Sequence, residues 1–142
     1  MKQAILEAKK SAAIDEVPIG VVIVLNDKII ARGHNVRETK NDALGHGELV
    51  AIKKANKKLG SWRLNDCVIY VTVEPCIMCA GAIIQSKFKK VVYGAKNIKG
   101  GAFGSSINVL DAENINWKPE VVSGVLEDEC SSLLKEYFSS KR

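Results

Sequence analysis

The chain has 142 residues, 46% of them hydrophobic and 26% charged, which is the length of one ordinary domain and enough to bury a core without disulfides. No run approaches the ~20 consecutive apolar residues of a membrane-spanning helix, so no membrane partner is expected. A net charge of +5 permits a nucleic-acid partner without requiring one.

The opening stretch "MKQAILEAKKSAAIDE" has neither an apolar h-region nor a small-residue cleavage site. A secretory leader is therefore not expected, and a cytoplasmic location, where thiols stay reduced, is. Ile5, Ala8, Ala12 and Ala13 recur at helical spacing over residues 2–14, with Pro18 as the stop. "IGVVIV" and "IIARG" flank "LNDK", which predicts a hairpin around an Asn-Asp turn. The polar, aperiodic "HNVRETKNDALG" reads as a loop. Leu49, Ile52 and Ala55 mark a helix from Glu48 to Lys58, closed by Gly60. "CVIYVTV" reads as a buried strand, after which Pro75 opens a helix carrying Met78, Ile83 and Ile84. "KKVVYGA" is a further strand, and "KNIKGGAFGSS", with three glycines, a loop. "EVVSGV" adds a last strand before the terminal helix "EDECSSLLKEYFSS".

This order predicts an α/β protein: a mixed five-stranded sheet with helices on both faces, a three-layer α/β/α sandwich. The strands and helix between residues 67 and 95 should form a right-handed parallel βαβ unit. With no linker and no repeat, residues 1–142 read as one domain.

Chemistry concentrates in "PCIMC" and "HGE". Cys76 and Cys79 are half of the four cysteines. A disulfide staple does not suit a reducing compartment, and no thioredoxin-like context supports a redox pair. A zinc half-site remains, although Cys-x-x-Cys alone is only moderately specific. The two histidines are His34 and His46. Helical Cβ atoms tilt toward the N-terminus, so at a first turn His46 and Glu48 can both reach a site just beyond the helix end. Cys76 and Cys79, spaced i and i+3, share one face of the first turn of their own helix. Two helix N-termini would then meet at one metal, their dipoles favouring thiolates.

His46, Cys76 and Cys79 supply three ligands and leave a fourth position for water, the feature that separates catalytic from structural zinc. Bound zinc lowers the pKa of its water from ~16 to ~7. Glu48 then reads as a proton shuttle, against the plainer reading of a first-turn carboxylate favoured by the helix dipole. A closed site with His34 as fourth ligand is the rival, and it leaves Glu48 idle.

The spacing His-x-Glu … Pro-Cys-x-x-Cys is the known signature of zinc nucleobase deaminases. Together with "EVPIGVVIV", "GHN", "SWRLNDCVIYVTVEPCIMCAGAII", "VVYGAKNIKGGAFGS" and "LEDEC", it resembles the bacterial tRNA-specific adenosine deaminase family across nearly the whole chain. The resemblance implies a cytidine-deaminase-like fold, a homodimer and one Zn2+ per subunit. It also implies hydrolytic deamination of the wobble adenosine to inosine in the anticodon stem-loop of an arginine tRNA. His46, Cys76 and Cys79 match the family's zinc ligands and Glu48 its proton shuttle. Asn35 matches the asparagine that hydrogen-bonds the flipped base, and Asn97 belongs to the loop that meets sugar and phosphate. The family usually has alanine where this chain has Gly47, and some members carry aspartate at 97.

Among basic residues, Lys53, Lys54, Lys57 and Lys58 sit at the far end of their helix and read as a solvated face. Lys96 and Lys99 flank the glycine-rich loop and are the better phosphate candidates. Phe138, with Lys141 and Arg142, either stacks on the anticodon loop or clamps it; alternatively Tyr137 or Phe138 packs the helix down. Two other functions stay open: deamination of free guanine or cytosine, and a nucleic-acid-binding module with purely structural zinc.

Overall fold

The structure, a computed structural model, describes residues 1–141; Arg142 lies outside the described residues. Helix α1 spans Lys2–Ala13 and buries Ala4, Ile5, Glu7, Ala8 and Ser11. Ala12 and Ala13, expected on that face, are exposed. The helix also stops short of Pro18. Asp15 takes a left-handed φ of 62°, the Asp15 N–H donates to Ala12 O, and the Glu16 N–H donates to Ser11 O at 2.9 Å. This is a Schellman ending built on aspartate instead of glycine, and it sets Glu16 directly after the turn.

Strands β1 (Gly20–Leu25) and β2 (Lys28–His34) form the expected hairpin. Asn26 and Asp27 both have positive φ, as a turn that matches strand twist requires. Helix α2 (Gly47–Leu59) follows the loop and ends on Gly60 at φ 62°. Its buried face is Gly47, Glu48, Ala51, Ile52 and Ala55; Ile52 and Ala55 lie on it as expected, while Leu49 is half-buried and Glu48 takes the core side at the first turn. Next come β3 (Val68–Val73), α3 (Ile77–Gln85) and β4 (Lys90–Ala95). A short 3-10 turn at Val109–Asp111 precedes β5 (Glu120–Val122) and α4 (Glu127–Ser140). Three acidic residues in the first turn of α4 complement its dipole.

The sheet order is β2-β1-β3-β4-β5. The β1–β2 and β1–β3 pairs are antiparallel; β3–β4 and β4–β5 are parallel. Alternation along the strands divides the core. Val21, Ile23, Ile69, Val71 and Val91 meet Ala51, Ile52, Ala80 and Ile83 of α2 and α3. On the other face Ile5 of α1, Cys130 of α4 and Ala95 form a smaller cluster. The three-layer mixed sandwich is therefore as expected. α1 approaches so closely that a Cβ on Gly20 would overlap Ala4 O and Ala8 N.

Candidate metal centre and active-site cavity

His46 is the N-cap of α2 and Cys76 the N-cap of α3, so two helix starts converge at the C-terminal end of β3. His46 Nδ1 lies 3.8 Å from Cys76 Sγ and 3.5 Å from Cys79 Sγ. All three potential ligand atoms fall within 4.8 Å of one another. A tetrahedral zinc with ordinary bond lengths needs N···S separations of about 3.6 Å. The donor set and its spacing therefore fit that ion.

Among the described residues the cluster contains these three side chains and not His34. His34 ends β2 opposite Gly20, near Glu7, Lys10, Lys54 and Glu16, and burial lowers its pKa. The thiols are unlike one another. The Cys79–Cys76 hydrogen bond holds Cys76 well below the usual thiol range and Cys79 well above it. Hydrogen bonding to Cys76 raises His46, against the effect of burial.

Glu48 is 3% exposed, and its Oε1 has no hydrogen-bond partner among the described residues. Burial, opposed by its own backbone N–H, pushes its pKa up to about 7. A buried oxygen without a partner is costly. Such a group is accounted for if something sits at the cluster it adjoins, and a pKa near neutrality suits proton transfer.

Asn35 is held from three directions. Its backbone O accepts from Ser11 Oγ at 3.0 Å, its N–H donates to Ile19 O, and its Oδ1 accepts from the Gly47 N–H at 2.9 Å. With Oδ1 engaged, Nδ2 is the group left to donate into the cavity that Asn35 lines. Gly47 is a tight position: a Cβ there would sit 3.1 Å from both His34 Cα and Val21 Cγ2.

Asn35 and His46 line a cavity of about 420 Å³ together with Arg37 and Phe138. Asn97 and Lys99 do not share it. They line a neighbouring cavity of about 490 Å³ with Lys96 and Ile98, joined to the first through Val17, Ile19 and Phe138. Phe138 is half exposed between the two, edge-on to Tyr137. Tyr137 packs the helix end down by donating to Asp15 O, and Lys141 pairs with Asp15. Lys53, Lys54, Lys57 and Lys58 are exposed, and Lys54 donates to Arg32 O. Cys67 and Cys130 are buried free thiols away from the cluster.

Two residues escaped the sequence reading. Glu16 is buried and accepts from the Glu38 and Thr39 N–H groups and the Thr39 hydroxyl, which fastens the loop that carries Arg37. Glu74 is buried between β3 and Pro75. Both stand beside valine and close before a proline, in "EVP" and "VEP", and that is the signal that could have found them.

Over residues 1–142 the chain matches the family model of MafB19-like deaminases, so fold and site together define a deaminase. The tRNA-specific adenosine deaminase of Bacillus subtilis (strain 168) is 51% identical over 142 residues, covering 100% of this chain and 88% of the relative. A structure solved in work on A-to-I editing by tRNA:A34 deaminases, at the wobble position of transfer RNA, superposes with a TM-score of 0.92. It is 40% identical and covers 94% of this chain and 97% of its own. The chain belongs to the tRNA-specific adenosine deaminase family. A guanine deaminase from Bacillus subtilis is more distant, with a TM-score of 0.65 and 35% identity over 78% of this chain and 82% of its own.

Proposed function

We propose that this chain hydrolyses the wobble adenosine in the anticodon loop of an arginine tRNA to inosine, releasing ammonia. Residues 1–142 act as one domain, with one zinc ion per subunit held by His46, Cys76 and Cys79, in the cytoplasm. The observation that carries the reading is the buried Glu48 carboxyl, its Oε1 without a hydrogen-bond partner among the described residues, beside a His-Cys-Cys cluster whose His46 lines a cavity. A zinc ion there would supply Lewis acidity, which makes water acidic enough to lose a proton near neutral pH. The Glu48 carboxylate takes one proton from the attacking water, delivers it to adenine N1, and passes the water's second proton to the departing amine. Asn35, its Oδ1 fixed by Gly47, donates through Nδ2 to an acceptor on the base edge. Phe138 offers a ring for stacking, and Lys96 and Lys99 offer charge to phosphates. An unstacked loop base enters at little cost.

The homodimer is supported by exposed apolar side chains beside α3: Ile77 is 62% exposed and Ile107 47%, on one groove. A sedimentation mass of one chain at micromolar concentration would remove that part of the reading.

Deamination of a free base is less well supported. The cavity continues into a second lobe flanked by Lys96 and Lys99, charges for which a free base has no phosphate. Ammonia release is to be measured from guanine, cytosine and adenine and from an arginine tRNA anticodon stem-loop. Turnover of the stem-loop alone is expected; turnover of a free base with the stem-loop ignored would overturn the assignment.

A further inference from the structure

Glu74 is among the most deeply buried side chains, 2% exposed, and has no cationic partner among the ion pairs of the described residues. Its charge is instead met by a ring of donors from one loop. Oε1 accepts from the Asn97 N–H at 3.3 Å and from the Ser105 hydroxyl. Oε2 accepts from the Phe103 N–H at 3.0 Å and the Ser105 N–H at 3.2 Å. An ionised carboxyl is acceptor-only, with room for about four donors, and charge-assisted bonds of this kind are roughly twice as strong as neutral ones. The 97–105 loop is thus wound around a single anion.

Gly101 is the complement of that anion. A Cβ there would overlap Glu74 Cδ and lie 2.5 Å from Asn97 O, so the loop closes on the carboxylate only through a residue without one. The same loop is tied to the turn before Cys76 by the Ala102 N–H donating to Pro75 O at 2.9 Å. On its outer side it forms the wall of the second cavity, where Lys96, Asn97, Ile98 and Lys99 stand. An inward carboxylate therefore sets the position of an outward cationic wall.

We propose that Glu74 is a positioning residue for the substrate's sugar-phosphate backbone: by holding the 97–105 loop it places Lys96 and Lys99 against phosphates next to the reacting nucleotide. The inference rests on the nucleic-acid reading above. It divides two jobs between adjoining cavities: Glu48 and Asn35 act on the base, and Glu74 acts through the loop on everything outside the base.

The test uses the zinc-loaded full chain and an anticodon stem-loop, with Glu74→Gln as the main variant, because the amide nitrogen brings hydrogens to a position where two donors already point. Salt dependence is the diagnostic readout, since each phosphate contact on single-stranded nucleic acid adds ~0.7 to the slope of log affinity against log salt. Glu74→Gln should lower that slope by roughly 0.7 to 1.4, the loss of one or two contacts. It should also raise KM on the order of tenfold, with kcat within about threefold and one zinc retained per chain. Ser105→Ala, which removes the hydroxyl donor to Oε1, should shift the slope in the same direction in a protein that still unfolds cooperatively, above the assay temperature. It decides the matter should Glu74→Gln not fold.

An unchanged slope in the folded variants overturns the inference, whatever happens to activity, because a merely structural role would not count phosphates. Loss of zinc overturns it too, by assigning Glu74 to the Cys76 turn. A wild-type protein that forms no inosine on the stem-loop refutes the deaminase reading instead, and the two failures are told apart in the same set of measurements.

Discussion

Replacing Glu48 by glutamine should make the enzyme more stable and nearly inactive, and the structure supports both halves of that expectation. The carboxyl is 3% exposed with Oε1 unpartnered, a burial that costs about 1–3 kcal/mol for a polar group left without a partner and more for a charged one. Glutamine keeps the shape and removes the charge. The metal-free variant should therefore be more stable where wild type has to ionise a carboxyl whose pKa burial lifts to about 7, a gain in melting temperature that is fully present above that value and fades as pH falls toward the ordinary 4.5. Proton transfer, by contrast, is lost altogether. General acid–base catalysis contributes about 10²–10⁴ in rate, equivalent to about 3–5 kcal/mol of barrier. Inosine formation by the zinc-loaded protein should fall by at least a hundredfold while zinc content stays at one per chain. Turnover within tenfold of wild type with zinc bound would refute the shuttle, and loss of zinc would make Glu48 a ligand.

Cys79→Ser should lower zinc content and activity together, because a hydroxyl is a poor substitute for a thiolate in an N/S zinc site. Atomic absorption after dialysis checks it, and full zinc retention counts against the cluster. Gly47→Ala should cost about 1 kcal/mol in urea unfolding, since the new methyl meets the His34 backbone at 3.1 Å and overpacking outweighs the small helix gain at a first turn. A stabilised variant would contradict the close contact. Glu16 should contribute to acid stability. Burial raises its pKa, but the Thr39 and Glu38 hydrogen bonds outweigh burial and leave it below its ordinary 4.5. Its contribution is then present above that ordinary value and lost as pH falls through the lowered one. The stability gap between wild type and Glu16→Gln should be widest at neutral pH and narrow as pH falls below 4.5, and a gap that widens in acid would reverse the sign.

Most elements were legible because their signals are local. The hairpin follows from Asn26-Asp27 between β-branched runs, α2 from its stripe and Gly60, and the His-Cys-Cys cluster from cysteines and a histidine placed at helix starts. What was missed depends on contacts between distant segments. The Schellman turn at Asp15 hides behind an aspartate where glycine is the usual sign, so the device that ends α1, three residues before Pro18, has no signature in the sequence. The buried face of α2 runs through Glu48, because a carboxylate does not count toward an apolar stripe. Glu16 and Glu74 find their donors 22 to 31 residues away, on loops with no periodicity to read. The separation of Asn35 from Asn97 and Lys99 into adjoining cavities is likewise a matter of tertiary placement.

The near-touching backbones of α1 and β1 at Gly20 limit how this protein can drift. A methyl group there has nowhere to go, so the helix would be levered away from the sheet. Glu16 hangs from the end of that helix and moors the Arg37 loop. A one-carbon change on the far side of the sheet from His46, Cys76 and Cys79 would thus reach the rim of the cavity that Arg37 and His46 line, and residues 4, 8 and 20 are expected to vary only in concert.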